Sequence, residues 1–206
     1  MRNLKKVLSL VLALAIVLSL CMAGAGAVNY DDFTDEGTIT KKQAVETLVS
    51  LDVIKGYNDG ATFNPTGNVT RAEMATMICR ILAGGDNKIV DATKPVATFA
   101  DIDGHWAESY IEYCTSLGIV SGKSPTSFDP DANVTAAEAA KMVMTTLGYN
   151  ADIEQFKGIG WDINVMAKAN TLLLLNNLQG EISSSVPATR EQVAQLLFNA
   201  LGAYTV

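Results

Sequence analysis

The sequence is poor in the side chains on which most enzyme active sites and metal centres depend. It has one histidine, His105, and three cysteines in 206 residues, and none of them falls in metal-binding or redox spacing. His105 has no nucleophile motif beside it, and no glycine-rich phosphate loop or paired-carboxylate signature stands out. The sequence therefore argues against an enzyme, and it indicates no cofactor.

Two acidic segments resemble the start of a calcium loop but lack residues that such a loop needs. Counted from Asp129, the sixth position is Val134 and the twelfth is Ala140, where an EF-hand has glycine and a bidentate glutamate. Counted from Asp101, the sixth position is Trp106. Neither segment therefore predicts a metal site.

Positive charge is also scarce. The chain has 15 basic and 22 acidic residues, and three of the basic residues but none of the acidic ones lie in residues 1–27. The remainder therefore has a formal net charge of −10, which excludes non-specific coating of nucleic acid. Only Arg71, Arg80 and Arg190 supply arginine after residue 27. A few placed cations must therefore hold any anion that binds.

The long hydrophobic run lies at the N-terminus. It follows a basic start and precedes Ala25-Gly26-Ala27, a pattern typical of a secretory signal peptide in residues 1–27. We therefore predict a secreted chain that begins near Val28 and has no membrane span after cleavage. An uncleaved anchor is disfavoured by the short run and the acidic residues that follow. A lipid on Cys21 is disfavoured because the preceding Leu20 is large.

One pattern occurs three times in the rest of the chain. Its clearest copies are Val69-Thr70-Arg71-Ala72-Glu73, Val134-Thr135-Ala136-Ala137-Glu138 and Ala188-Thr189-Arg190-Glu191-Gln192. Each precedes apolar residues spaced as in an amphipathic helix. Upstream of each lie a second helical pattern, at 40–51, 106–117 and 162–175, and a loop with glycine and proline.

The chain is therefore predicted to be all-α, with helix-loop-helix repeats at 28–84, 99–148 and 158–206, the last divergent. No helix pair of this size buries its apolar stripe alone, so the copies should share one core. Cys79 and Cys114 align with apolar positions of the other copies and are predicted to be core residues.

These residues resemble the S-layer homology family. The resemblance rests on Phe99-Ala100-Asp101-Ile102-Asp103-Gly104-His105-Trp106-Ala107, on Gly56-Tyr57-Asn58-Asp59-Gly60 and on the Val69 to Glu73 motif, and it extends from Phe33 to about Tyr204. It implies a pseudo-threefold bundle with ligand grooves between neighbouring copies. It also implies attachment at the cell surface to a secondary cell-wall polysaccharide, often one that carries a pyruvate ketal.

Thr70 and Glu73 fit a capping box, in which the two side chains satisfy amides at a helix start. Thr135, Thr189 and Thr40 fit it too. Capping does not require the arginine that follows Thr70 and Thr189, and a helix start disfavours positive charge.

We therefore expect Arg71 and Arg190, beside Thr70 and Thr189, to hold a ligand carboxylate together with the helix-start amides. Ala136 replaces arginine in the second copy. That site should be weak, and Ala136→Arg should increase binding if the rest of the groove is intact.

Three aromatic residues have two interpretations. Trp106, Trp161 and Tyr57 could stack on a sugar, or they could be wedged between repeats. Arg80 lies outside the motif and is expected not to bind. The alternative function is a structural surface-layer subunit whose repeats assemble with protein partners, such as other surface-layer proteins.

Overall fold

A computed structural model describes residues 28–58, 60–85 and 98–206. The predicted signal peptide lies outside these residues. The described chain forms α-helices and no β-strand beyond isolated bridges, so the predicted all-α class is confirmed. The helices are α1 (Lys42–Ser50), α2 (Arg71–Ala83), α3 (Glu108–Ser116), α4 (Ala136–Thr146), α5 (Trp161–Thr171) and α6 (Arg190–Leu201). Short 3-10 turns occupy Tyr30–Asp32, Glu36–Thr38 and Ala100–Ile102.

The second helix of each predicted repeat begins with the expected capping box. The hydroxyls of Thr70, Thr135 and Thr189 accept the amide of the third helical residue at 3.2, 3.2 and 3.4 Å. The side chain of that residue accepts the threonine amide in return, at 2.8 to 3.0 Å. Each box satisfies amides that a helix start leaves without intrahelical partners.

The first helices are shorter than the sequence predicts. Thr40 does not cap α1, because its amide and its hydroxyl both donate to the Glu191 carboxylate, at 2.9 and 3.1 Å. The interpretation of Thr40 as part of a capping box is therefore wrong. Just before α3, the Nδ1 atom of His105 accepts the amide of Ala107 at 3.1 Å.

The helices pack between repeats in cyclic order. Helix α2 packs on α3, α4 packs on α5, and α6 packs on α1. Each second helix thus covers its apolar stripe with the first helix of the following repeat. The last pair returns to the start of the chain, as expected for segments that cannot bury their stripes alone.

A ring of three backbone hydrogen bonds joins the segments just before the second helices. The amide of Val69 donates to the carbonyl of Ala188 at 3.1 Å, and Ala188 donates to Val134 at 2.9 Å. Val134 donates to Val69 at 2.9 Å and closes the ring. The starts of α2, α4 and α6 are therefore held next to one another.

One apolar core contains side chains from all three predicted repeats. Two corresponding phenylalanine pairs anchor its first two parts, Phe33 with Phe63 at 5.8 Å and Phe99 with Phe128 at 5.7 Å between ring centroids. Phe156 is fully buried in the third part. The expected shared core is present, and Cys79 and Cys114 are buried in it as predicted.

Candidate ligand-binding grooves

The backbone amides at the helix starts are already hydrogen-bonded. In α2, the amide of Arg71 donates to Ala132 and the amide of Ala72 to Pro130, both at 2.9 Å. The corresponding amides of α4 and α6 donate in the same way to loop carbonyls, at 2.8 to 3.1 Å. The expectation that these amides receive a ligand carboxylate is therefore wrong, because carbonyls of the neighbouring repeat occupy them.

The Arg71 side chain extends from the start of α2 into the second repeat. Its guanidinium lies over the Phe128 ring, 4.3 Å from the centroid, and its Nε atom donates to the Phe128 carbonyl at 2.9 Å. Its Nη2 atom donates to the Ser121 carbonyl at 2.8 Å, and its Nη1 atom lies 4.0 Å from the Glu138 carboxylate. Burial lowers the pKa of Arg71, but an arginine starts so high that it stays charged at neutral pH.

The Arg190 side chain makes the corresponding contacts in the first repeat. Its guanidinium lies 4.3 Å from the Tyr57 ring centroid, and it donates to the Lys55 carbonyl at 2.6 Å and to the Tyr57 hydroxyl at 3.0 Å. That hydroxyl in turn donates to Glu73. Burial raises the pKa of Tyr57 to about 12, and the Glu73 contact adds to the rise against the opposing effect of Arg190. Tyr57 is therefore neutral at physiological pH.

Arg190 and Arg71 each line a groove between repeats. Groove A, of about 160 Å³, brings Arg190 together with Tyr57, Glu73, Arg80 and Trp106. Groove B, of about 140 Å³, brings Arg71 together with Lys123, Glu138, Lys141 and Trp161. In both, the arginine comes from one repeat, the loop and the helix wall from the next, and the tryptophan from the one after. Of the seven predicted site residues, groove A therefore contains Arg190, Tyr57 and Trp106, and groove B contains Arg71 and Trp161.

The two tryptophans sit at the same register but differ in exposure. Trp106 is 59% exposed, so it is not wedged between repeats. Trp161 is half-buried, and the Nζ atom of Lys141 lies 5.2 Å from its ring centroid. Burial lowers the pKa of Lys141, and nearby Lys157 adds to the effect.

Groove B has more basic than acidic side chains. Lys123 donates to Glu138 at 2.6 Å, so Glu138 faces both Lys123 and Arg71. Burial alone would raise the pKa of Glu138, but Lys123, the Thr135 amide and Arg71 together lower it. With Lys141, the groove lines up three cations against one carboxylate. The two lysines were not predicted, because each becomes a site residue only through packing between repeats.

Groove C, the corresponding cleft on the third predicted repeat, has neither arginine nor tryptophan. Ala136 and Thr40 occupy those two positions. The Asn176 carbonyl corresponds to the Ser121 and Lys55 carbonyls that Arg71 and Arg190 bind. It accepts instead from the side-chain amide of Asn199 at 2.8 Å. The arginine that the second copy lacks would therefore belong to groove C, because each arginine reaches the repeat that follows its own.

Arg80, which lies outside the helix-start motif and is expected not to bind, lines groove A. Its Nη1 atom donates to the Val53 carbonyl at 3.3 Å, and its guanidinium lies 5.9 Å from the Tyr110 ring centroid. Its Nε atom is buried without a hydrogen-bond partner in the described chain, as is that of Arg190. Thr70 and Thr189 line neither groove and act as caps, and their contact with a ligand stays a prediction.

The acidic segments that resemble calcium loops have structural roles. The Asp101 carboxylate accepts the amides of Phe128 and Asp129 and the hydroxyl of Ser127, at 2.7 to 2.8 Å. These bonds lower the pKa of Asp101 although burial opposes them. Asp35 binds the amides of Phe63 and Asn64 in the same way. Among the described residues, no cluster of acidic, histidine or cysteine side chains could hold a metal ion.

Comparison with known proteins supplies relatives for this chain. A cell surface protein of Thermoanaerobacter kivui is 31% identical over 180 residues, 86% of this chain and 22% of the relative. A cellulosome-anchoring protein of Acetivibrio thermocellus is 34% identical over 104 residues, 50% and 23% of the two chains. An endoglucanase of a Bacillus species is 30% identical over 155 residues, 72% and 16%. The chain spans about a fifth of the length of the relatives it matches.

Within residues 28–58, 60–85 and 98–206, none of the helices has the length and apolar character of a membrane span.

A comparison with models of protein families matches two segments of the chain. Residues 32–75 and 98–140 both match the S-layer homology domain, and each range overlaps one of the first two predicted repeats. These two segments of the chain are therefore similar to the S-layer homology domain.

Proposed function

We propose that this protein attaches non-covalently to the bacterial cell wall by binding an anionic secondary cell-wall polysaccharide in grooves A and B. The observation that carries the proposal is the pair of buried arginines, each reaching across a repeat boundary to a groove that also holds a tryptophan. A third S-layer homology repeat in residues 158–206 and a pseudo-threefold bundle belong to the same proposal. The cyclic helix packing and the ring at Val69, Val134 and Ala188 support them.

The charge of the grooves selects an anion on a protein that is otherwise acidic. In groove B, Arg71, Lys123 and Lys141 face Glu138 alone, which leaves a local surplus of positive charge. Groove A likewise combines Arg190, Arg80 and Lys55 with Glu73 alone. A carboxylate on a sugar, such as that of a pyruvate ketal, offers two oxygens to these donors. The tryptophan beside each groove supplies a flat apolar face for the sugar ring.

The relatives support this location and role. They include a cell surface protein and a cellulosome-anchoring protein, whose names describe surface attachment. The endoglucanase matches over 16% of its own length, which fits an attachment module joined to separate catalytic residues. We propose that the part of the chain described here binds and does not catalyse.

Binding to purified wall sacculi tests the proposal. The secreted chain should bind intact sacculi and lose binding after acid extraction of the attached polysaccharide. Purified polysaccharide should compete for binding, and removal of its pyruvate should weaken that competition. Trp106→Ala and Trp161→Ala should each reduce affinity about 5- to 10-fold, the equivalent of about 1 to 1.4 kcal/mol.

Thr40→Ala provides the matched control, because Thr40 occupies the tryptophan register in groove C. Its affinity for sacculi should stay within about twofold of the parent chain. Binding that survives complete extraction of the polysaccharide, or capture by purified surface-layer protein alone, would contradict the proposal and favour protein partners.

A further inference from the structure

The interface between α2 and α3 brings two cysteines from different repeats into contact. The Sγ atoms of Cys79 and Cys114 lie 2.9 Å apart, although the residues are 35 positions apart in sequence. Both side chains are fully buried. Each sulfur also approaches a backbone carbonyl of the opposite helix, Cys79 that of Tyr110 at 3.2 Å and Cys114 that of Ala75 at 3.5 Å. Their contact is therefore fixed by helix packing.

This geometry is close to that of a covalent link. A disulfide has a sulfur-to-sulfur distance of about 2.0 Å, so the two atoms need to approach by only about 0.9 Å. Small side-chain rotations can supply that approach without moving either helix. No other cysteine of the described chain competes for either sulfur.

The corresponding positions at the other two interfaces are occupied by apolar side chains. The register that aligns the repeats places Met144 with Ala169 between α4 and α5, and Phe198 with Leu48 between α6 and α1. Packing at this position therefore accepts several pairs of different size. A pair of thiols is found at the interface between α2 and α3, where the two sulfur atoms are close enough to be joined.

We propose that Cys79 and Cys114 form a disulfide in the exported protein, which covalently joins the first repeat to the second. The proposal rests on the predicted export, because disulfides persist in oxidising compartments outside the cytosol. It does not depend on the ligand of the grooves.

The oxidant is a low-molecular-weight disulfide. The thiolate of one cysteine attacks it, forms a mixed disulfide and releases one small thiol. The thiolate of the second cysteine then attacks the protein sulfur of the mixed disulfide and releases the second small thiol. The protein loses two electrons and two protons, and the small disulfide is reduced to two thiols.

Oxidation must precede closure of the interface. The contact with Cys79 and burial both raise the pKa of the Cys114 thiol well above its ordinary value, so a closed interface holds little thiolate. The two sulfurs are therefore expected to react while the exported chain folds.

The bond would tie together both walls of groove A. Helix α2 carries Glu73 and Arg80 of that groove, and Trp106 lies just before α3. Cys79 is the neighbour of Arg80, and Cys114 lies two turns along α3. Groove B has no such link between its walls at the corresponding position, where Met144 and Ala169 lie.

The test compares the secreted chain refolded with oxidised glutathione and with a reductant. After oxidation, a maleimide added in denaturant should label neither Cys79 nor Cys114, and the monomer should be lighter by two hydrogen atoms. A digest without reductant should contain one peptide pair joined through these two cysteines. The melting temperature of the oxidised chain should exceed that of the reduced chain by roughly 5 to 15 °C.

The double variant Cys79→Met/Cys114→Ala is the control, because it recreates the pair found between α4 and α5. It should fold, and its melting temperature should not respond to oxidant. Full maleimide labelling of both cysteines after oxidation, or bonds that form only between molecules, would overturn the proposal. An oxidised chain with the bond but without higher thermal stability would overturn the claim that the bond reinforces this interface.

Discussion

Grooves B and C have corresponding backbone positions, but different side chains bind to them. In groove B, the Ser121 carbonyl accepts from Arg71, a cation supplied by the preceding repeat. In groove C, the corresponding Asn176 carbonyl accepts from Asn199, a neutral side chain of the same repeat. The backbone therefore requires a donor at this point but not a charge. An arginine and a tryptophan meet in grooves A and B but not in groove C, which is why we assign binding to these two.

Groove C, at about 640 Å³, is wider than grooves A and B, and it contains contacts that the other two grooves lack. The ammonium group of Lys41 donates to the Asn177 carbonyl at 2.7 Å and pairs with Glu181 at 2.8 Å. Thr40, at the tryptophan register, binds Glu191. These bonds engage Thr40 and Lys41 in contacts within the chain. They tie the start of α1 to the third predicted repeat.

The largest expected effect is on stability, when the arginine donor of groove A or groove B is removed. Arg71 and Arg190 are 7% and 6% exposed, and each bonds a loop carbonyl of the next repeat. Arg71→Ala or Arg190→Ala leaves such carbonyls unpaired and should cost about 2 to 4 kcal/mol in urea unfolding. Binding should fall about tenfold or more as well, because a charge-assisted hydrogen bond contributes about 1.5 to 3 kcal/mol.

Lys42→Ala is the matched control for these two variants. Lys42 is exposed at the edge of groove C, so its loss should change stability by less than about 0.5 kcal/mol. Unchanged stability of both arginine variants would mean that the arginines serve the ligand alone, as sequence reasoning suggested.

The repeated motifs reveal the helices, their caps and the shared core, since period and capping are local properties of the chain. They do not reveal which repeat each arginine serves, because that depends on the cyclic packing of α2 on α3 and α4 on α5. Lys123 and Lys141 escape sequence reasoning for the same reason. Nor does a capping box reveal that the carbonyls of Ala132 and Pro130 accept the first two amides of α2.

A smaller effect is expected from restoring the missing arginine in groove C. Ala136 is buried, and the Asn176 carbonyl that an arginine would bind already accepts from Asn199. Ala136→Arg should therefore destabilise the chain by about 1 to 3 kcal/mol and should not increase binding to sacculi. The sequence predicts tighter binding only if the rest of the groove is intact, and the Asn199 contact with the Asn176 carbonyl departs from that condition.

A second variant makes that comparison decisive. Ala136→Arg combined with Asn199→Ala frees the Asn176 carbonyl and should recover part of the lost stability in urea unfolding. If the single Ala136→Arg variant binds more tightly than the parent chain, groove C is a working site and its contrast with groove B fails.

The smallest expected effect concerns the one carboxylate of groove B and appears in acid. The pKa of Glu138 lies below its ordinary value of 4.5, because Lys123, the Thr135 amide and Arg71 outweigh burial. A carboxylate with a lowered folded-state pKa contributes stability at pH values above its unfolded pKa, and that contribution is lost as pH falls through the folded value. Glu138→Gln should therefore flatten the loss of stability below about pH 4.5 in urea unfolding at a series of pH values.

Glu154→Gln is the control, since Glu154 pairs with Lys168 outside the grooves, and its acid profile should follow that of the parent chain. Equal acid profiles for all three proteins would show that the cations of groove B do not act on Glu138.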